Sequence, residues 1–366
     1  MRGKLMHFLK VSLSFICMAL ISACANQKLV DEIKIVQSIG YDLTDHGVKS
    51  VVLYPIFEKK NESQLQILDT SSNSYYDIFP RLNTKTNEPI EYGQLRMVLF
   101  GKTYSEKGID SVIHSLCRDA KIGSRIHLGV AERDASEILT ASHKYKNPFY
   151  ISGMISQNIA HGNLPRVNLQ EFLFDHYGEG RDPFLPYLIL ERGNIKIDGI
   201  ALFSYDKLIT TISLKEAFIL KMLVDNSKNG SYMYPLKGAK STLNEFILLH
   251  SIGSKTKFTV DHILPNPTIS IKVKLYLQVK DVPEQINLTR GGQIRGLEST
   301  IGSYFEKEIH SFISLCQKNK VDPIGFGDLV RSKSLDWKEK DFYAAYEQLK
   351  TNVKVDVHII QTGVGE

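Results

Sequence analysis

Thiols and imidazoles are the groups in this sequence most able to do chemistry, and their spacing decides which chemistry is open. Cys24 ends the run Ile21-Ser22-Ala23-Cys24: a branched apolar residue, two small residues, then a thiol. Small side chains at Ser22 and Ala23 let a peptidase approach the backbone. The thiol would take a diacylglyceryl group, and cleavage between Ala23 and Cys24 would leave Cys24 as the new first residue. An ordinary signal peptide with an incidental cysteine is the alternative. Cys17 departs with the leader on either reading. Cys117 and Cys316 each fall in an apolar helical pattern, which predicts two buried free thiols; a bridge between them stays open in an oxidising compartment.

Other constellations fail on spacing. The eleven histidines are scattered, with no H-E-x-x-H, no close pair on a helix face and no Cys/His cluster, so no metal is expected. Gly101-Lys102-Thr103 follows a strand pattern, but Arg96 stands where a phosphate-cradling loop needs its first glycine. Gly291, Gly292 and Gly296 precede a helix, with Gln293 at the middle glycine position of a dinucleotide fingerprint; helix entry explains them better. There is no G-x-S-x-G nucleophile elbow. The expectation is a non-catalytic protein with no cofactor and no catalytic residues.

The residues before Cys24 suit its proposed chemistry. Arg2, Lys4 and Lys10 form a basic start without an acid, and Val11 to Ala23 is an uncharged, mostly apolar run. That run is short of the roughly 20 apolar residues a membrane span needs, but has the length of a signal-peptide core. The expectation is a cleaved leader over 1–23 and a mature chain anchored to its membrane through lipid on Cys24. The formal charge of +5 includes the leader: without its three cations, Lys+Arg falls from 45 to 42 against 40 acids, leaving +2. So small a net charge argues for neither nucleic acid nor a strongly basic membrane face. At 43% apolar and 23% charged, the 366-residue chain has an ordinary globular composition and room for several cores.

Periodicity places the elements. Ile33 to Ile39 and Lys49 to Phe57 read as strands around the turn-forming stretch Tyr41 to Gly47. Asn61 to Asn73 reads as a polar loop and Ser74 to Leu82 as helical. After a strand over Gln94 to Phe100, Ser105 is expected to cap one helix through Cys117, with Ile109, Val112, Ile113 and Leu116 on one face. Arg125 to Ala131 is a strand and Asp134 to Ala141 a helix. The proline-rich stretch Asn147 to Pro186 reads as a connector with one helix around Ile151 to His161. Ile195 to Phe203 and Leu208 to Ile212 are strands, and Leu214 to Val224 a helix with apolar Ala217, Phe218, Leu220, Leu223 and Val224. Ile269 to Val279 alternates strictly, a half-buried strand with one wet face. An amphipathic helix from Ile294 to Cys316 is expected to cover it. A helix over Lys338 to Lys350 precedes a last alternating strand, Val353 to Ile359, placed to pair with the first strand of this unit. Trp337 reads as a core anchor. Together these predict an α+β, multi-domain fold of three mixed α/β domains, each a sheet packed with helices: 24–146, 147–255 and 256–366.

Several stretches resemble one family. After the cysteine, Val36-Gln37-Ser38-Ile39-Gly40-Tyr41-Asp42 resembles the start of the mature Ger(x)C lipoproteins. Arg118-Asp119, Ala135-Ser136-Glu137-Ile138-Leu139, Asp182-Pro183-Phe184-Leu185-Pro186 and Asp198-Gly199-Ile200-Ala201-Leu202-Phe203 are similar to later signatures. So are Asp206-Lys207-Leu208 and Asp322-Pro323-Ile324-Gly325-Phe326-Gly327 followed by Trp337-Lys338. Phe342 stands where the family often has a second tryptophan. The resemblance implies the C subunit of a nutrient germinant receptor in an endospore former. That subunit lies on the outer face of the spore inner membrane and assembles with integral membrane A and B subunits, where nutrient binding would reside. It implies no catalytic residue. The other reading is a solute-binding lipoprotein of a membrane transporter; the alternating Ile269 to Val279 strand suits α+β domains better than two doubly wound lobes.

Overall fold

Strand content in the first two-thirds of the chain gathers into one sheet, and that of the last third into another. The structure is a computed structural model that describes residues 6–7, 12, 33–57, 63–236, 246–262, 267–281 and 291–362. The N-terminal elements are β1 (Lys34–Ile35), β2 (Ser38–Thr44), β3 (Gly47–Phe57), β4 (Ser63–Ser72), α1 (Ile78–Asn83), β5 (Ile90–Glu91) and β6 (Met97–Gly101). There follow α2 (Lys102–Lys107), α3 (Asp110–Arg118), β7 (His127–Ala131), α4 (Ala135–Ser142), α5 (Tyr150–His161) and α6 (Leu169–His176). Then come β8 (Phe184–Glu191), β9 (Asn194–Ser204), β10 (Lys207–Ser213), α7 (Leu214–Val224), β11 (Ser231–Pro235), β12 (Phe246–His262) and β13 (Thr268–Asp281). The chain closes with α8 (Gly291–Asn319), α9 (Phe326–Arg331), α10 (Glu339–Ala345) and β14 (Lys350–Thr362).

The large sheet has the order β10-β9-β8-β7-β6-β2-β3-β4, the second β11-β12-β13-β14, and β1 pairs with β5. β2, β6, β7 and β8 are mutually parallel, and both flanks are antiparallel. A parallel centre needs cover on both faces, so Met97, Val98, Leu99 and Phe100 are all fully buried. The strands on either side of residue 147 are hydrogen-bonded into this one sheet, and β12 runs through residue 255. The mixed α/β class expected from the sequence is the one the chain adopts.

Most elements fall where periodicity put them, including the pairing of β13 with β14, which is parallel and in unbroken register from Thr268↔Lys350 to Leu277↔Ile359. The segment Asn61 to Asn73 is a correction. It holds β4, an edge strand whose alternation (Leu65 buried, Gln64 and Gln66 exposed) is masked by its polar composition. Ser105 does not cap a helix. It lies buried inside α2 and donates to Gly101 O at 3.0 Å, and the chain breaks at Gly108 (φ +127) before α3 starts. The connector carries a second helix, α6, capped by Asn168, whose side chain accepts from Glu171 N. Helix α10 is shorter than Lys338 to Lys350. The two described cysteines are free, Cys316 buried as expected but Cys117 exposed.

Helix α7 joins the two sheets. It packs on β9 and β10 of the large sheet, on β12 of the small one and on α8. A helix covered on every side must be apolar all round, and all of Ala217 to Leu223 is buried while Val224 at its end is exposed. Lys221 survives in that position because its Nζ donates to Ile159 O at 2.9 Å and Gly162 O at 2.7 Å, satisfying carbonyls at the end of α5. A capping box between Ser213 and Glu216 fixes the start of α7.

Candidate functional site

Cys24 and Ala23, the lipid-attachment and cleavage residues expected from the sequence, lie outside the described residues. Among the described residues no group of three or more His, Cys, Asp or Glu side chains is placed to hold a metal. What the structure brings together instead is a set of buried acids, and the stretches singled out in the sequence supply them.

The stretch Val36 to Asp42 has two physical reasons for its residue types. A Cβ on Gly40 would lie 3.0 Å from both Ala135 Cβ and Leu139 Cδ1, so glycine lets α4 settle on β2. Asp42, buried, then accepts from Ala135 N at 2.6 Å and Ser136 N at 3.0 Å, supplying partners to two free N–H groups at the start of α4. Burial raises its pKa, and those hydrogen bonds oppose the rise. In the middle signature, Gly199 passes so close to Ile212 O that a Cβ would sit 1.8 Å from it. These are packing roles.

The two Asp-Pro stretches meet at the seam between the sheets. Asp182 N donates to Asp322 O at 2.9 Å, and Asp322 N donates to Asp182 Oδ2 at 2.7 Å. Tyr343 Oη donates to the same Oδ2 at 2.9 Å, and Tyr205 N to Oδ1 at 3.3 Å. The carboxylate of Asp322 is wrapped by its own loop: Gly325 N reaches Oδ1 at 3.0 Å and Gly327 N reaches Oδ2 at 2.8 Å. Gly325 takes φ +82 to close that loop. Outside this pair, Asp328 N donates to Gly180 O at 2.8 Å and Gly180 N to Glu339 Oε1 at 3.0 Å. Arg181 bridges Asp175 (3.0 Å) and Asp328 (2.8 Å). Gly180 and Gly327 touch backbone to backbone, since a Cβ on either would come within 2.7 Å of the other.

Burial pushes the Asp322 carboxyl up to about 7 and the Asp182 carboxyl up to about 6, against the backbone N–H groups that favour the charged forms. The charge of Asp182 adds to the rise at Asp322. Carboxyls so placed are turned inward to backbone groups and joined across 140 residues of chain. Their geometry makes them a lock between the sheets.

Beside the lock is a cleft of about 310 Å³, walled by Phe174, Phe184, Leu223, Phe258 and Ile324, with Arg166, Glu171, Asp175, Arg181 and Asp225 at its edges. Its charges are largely paired with one another: Arg166 Nε sits 3.2 Å from Glu171, and Asp225 accepts from Arg166 N at 3.2 Å. Burial lifts Asp175 to about 6, and Arg181 counters it. A smaller cleft of about 130 Å³ lies beside Trp337, whose half-buried ring packs against Phe342. Sequence reasoning did not bring Asp182 and Asp322 together. The available signal was two Asp-Pro dipeptides, each with a glycine close by in the chain.

Comparison with known proteins is consistent over most of the chain. The family described as "Spore germination protein N-terminal domain" matches residues 26–190, and "Spore germination B3/ GerAC like, C-terminal" matches residues 198–363. Spore germination protein GerQC of Bacillus cereus is 28% identical over 347 residues, covering 94% of this chain and 96% of that protein. Spore germination protein KC of Bacillus subtilis (strain 168) is 20% identical, covering 96% and 95%. The crystal structure of the GerBC protein has a TM-score of 0.57 at 16% identity, over 88% of this chain and 96% of that one, which shows a shared fold.

Proposed function

We propose, from the premise that this chain belongs to the GerAC-like family of spore germination proteins, that it is the lipid-anchored, non-catalytic C subunit of a nutrient germinant receptor. Its role in spore germination follows from the family. On this reading it assembles with integral membrane A and B subunits on the outer face of the spore inner membrane and couples their response to nutrient. The observation that carries the reading is that the two family domains match residues 26–190 and 198–363, beginning just after the lipobox cysteine.

Two features of the chain support it. No helix among the described residues is long and apolar enough to cross a membrane, and the lipobox at Cys24 offers another means of attachment. A diacylglyceryl group with a third acyl chain on the amine holds stably where one chain would not. Confinement to two dimensions raises the effective concentration of the subunit for partners in the same membrane. The reciprocal Asp182–Asp322 lock ties the two sheets together, as a coupling element needs if a push on one is to move the other.

The test is Cys24→Ala in the sporulating organism. The expected outcome is a folded protein poorly retained in spore membranes, with a weakened response to nutrient. A full response from the unanchored protein would count against the reading. Purification of the wild-type protein from detergent-solubilised spore membranes should recover two polytopic subunits. Recovery of transporter permease components would favour the solute-binding alternative, to which the cleft at the seam would give a place for ligand.

A further inference from the structure

The small sheet has two unlike faces. One is covered by α8: Ile269, Ile271, Val273, Leu275, Leu277 and Val279 of β13 are fully buried, as are Ile301, Phe305 and Ile309 of the helix. The other face is open and basic. Register places Lys257 of β12 opposite Lys272 of β13, and Lys272 opposite Lys354 of β14, so three lysines stand in one row across three strands. The next row sets Lys255 opposite Lys274, with Asp356 beyond. All five lysines are exposed, and none has an ion-pair partner among the described residues. Lys280 lies further along the same face, near enough to His250 to help lower its pKa after burial. Three acids share the face: Asp356, Asp261, which is hydrogen-bonded to Ser270, and Asp281 at its far end opposite the outward Leu248.

A single irregularity in β12 creates this array. Before it, Ile247, Leu249 and Ser251 point inward and are buried. The register then shifts between Ser251 and Gly253, inserting Ile252 as an extra residue opposite β13. An inserted residue reverses the parity of everything after it. Lys255 and Lys257 therefore face outward with Lys272 and Lys274, and Phe258 turns inward to meet Phe326. Adjacent strands lie about 5 Å apart, so lysines directly opposite repel one another. Without an external anion that repulsion is a standing cost to the sheet.

We infer that the open face of the β12–β13–β14 sheet is a contact surface for an anionic lipid bilayer. Three observations favour lipid over other anions. The array is spread over an open sheet face. Its cations are all lysines, and β12, β13 and β14 contain no arginine. Lysine is a flexible point charge suited to a diffuse anionic surface, whereas arginine's planar fork suits individual phosphates of nucleic acid and carboxylates of a partner protein. Next to the lysine rows, Tyr276 stacks on His358 with ring centroids 5.3 Å apart, and an amphipathic ring of this kind suits a membrane–water interface. The inference goes beyond the receptor reading; only the choice of lipid as the anion leans on the anchor at Cys24.

The experiment uses the mature chain from residue 24 with Cys24→Ala, so that no acyl group contributes. It is co-sedimented with vesicles of phosphatidylcholine alone or with about a third phosphatidylglycerol, in roughly 0.1 M and about 1 M salt, between which the screening length falls from about 10 Å to about 3 Å. Binding is expected only to the anionic vesicles and only at low salt. Each Lys→Gln exchange among Lys255, Lys257, Lys272, Lys274 and Lys354 should weaken it about fivefold, the equivalent of about 1 kcal/mol per lysine near such a surface. The fivefold Lys→Gln variant should not bind, while the same five positions as arginine should. The exposed positions leave folding intact, checked by thermal unfolding. No binding by the parent chain, equal binding by the glutamine variant, or preference for duplex DNA or polyglutamate over the vesicles would overturn the inference. None of these results depends on whether Cys24 is lipidated in the cell.

Discussion

Two glycines at nearly the same backbone angle isolate the contact energy of the seam. Gly180 has φ +75 and Gly193, in the turn between β8 and β9, has φ +76. Alanine at either must adopt a left-handed conformation, at about 1–2 kcal/mol. There the likeness ends. A Cβ on Gly193 meets nothing within 4 Å, while one on Gly180 would lie 2.5 Å from Gly327 C and 2.6 Å from Asp328 N. Both contacts are backbone, which cannot swing aside as a side chain would. Forcing them apart is overpacking, worth about 1–3 kcal/mol. It also lengthens the hydrogen bonds from Asp328 N to Gly180 O and from Gly180 N to Glu339, each worth about 1 kcal/mol. Gly193→Ala is therefore expected to lose about 1–2 kcal/mol, and Gly180→Ala about 4–7 kcal/mol once these contributions are combined. Urea unfolding of the two variants beside the parent measures the difference directly. A loss for Gly180→Ala within about 0.5 kcal/mol of that for Gly193→Ala, the usual scatter for sites without special features, would mean that the sheets are not held by this close approach.

Side-chain burial sets two further outcomes. Burial raises the folded-state pKa of Asp322 from 3.8 to about 7, so its contribution to stability is fully present below the unfolded pKa and is lost as pH rises through the folded one. That loss is about 4 kcal/mol for this group between pH 4 and 8 at about 1.4 kcal/mol per pKa unit; Asp322→Asn, which cannot ionise, should flatten the fall in unfolding free energy over that window, and an unchanged slope would refute the assignment. Cys117 is exposed and Cys316 buried, with burial pushing both thiols up and Cys316 the further. A maleimide at pH 8 should therefore label Cys117 in the native protein and reach Cys316 only in denaturant; equal native labelling would place α8 differently.

Much of this protein could be read locally. The strict alternation from Ile269 to Val279 announced β13 and its wet face, because side-chain direction in a strand depends only on the next residue along. The apolar residues of Leu214 to Val224 marked α7 as a helix, while the Ser213–Glu216 capping box that starts it came to light only in the structure. The failures were equally physical. β4 went unread because an edge strand can be polar on most of its surface, and the break at Gly108 depends on a positive φ that composition does not display. β12 was given no element: its parity changes at Ile252, so no single alternation runs its length.

The sequence by itself carries the apolar run before Cys24 and the Ile21-Ser22-Ala23-Cys24 pattern, the strand and helix periods, and the signatures by which the family is recognised. Each is a short-range pattern, carried by residues within a few positions of one another. Only the tertiary structure decided that Asp182 meets Asp322, that Gly180 must be bare to admit Gly327, and that lysines from three separate strands stand in one row. A net charge of only +5 over 366 residues hid that row, because net charge sums over the chain while a surface field depends on which residues folding makes neighbours. Contacts of that kind are fixed by strand register and by the packing of distant segments, and neither is written in any local stretch of sequence.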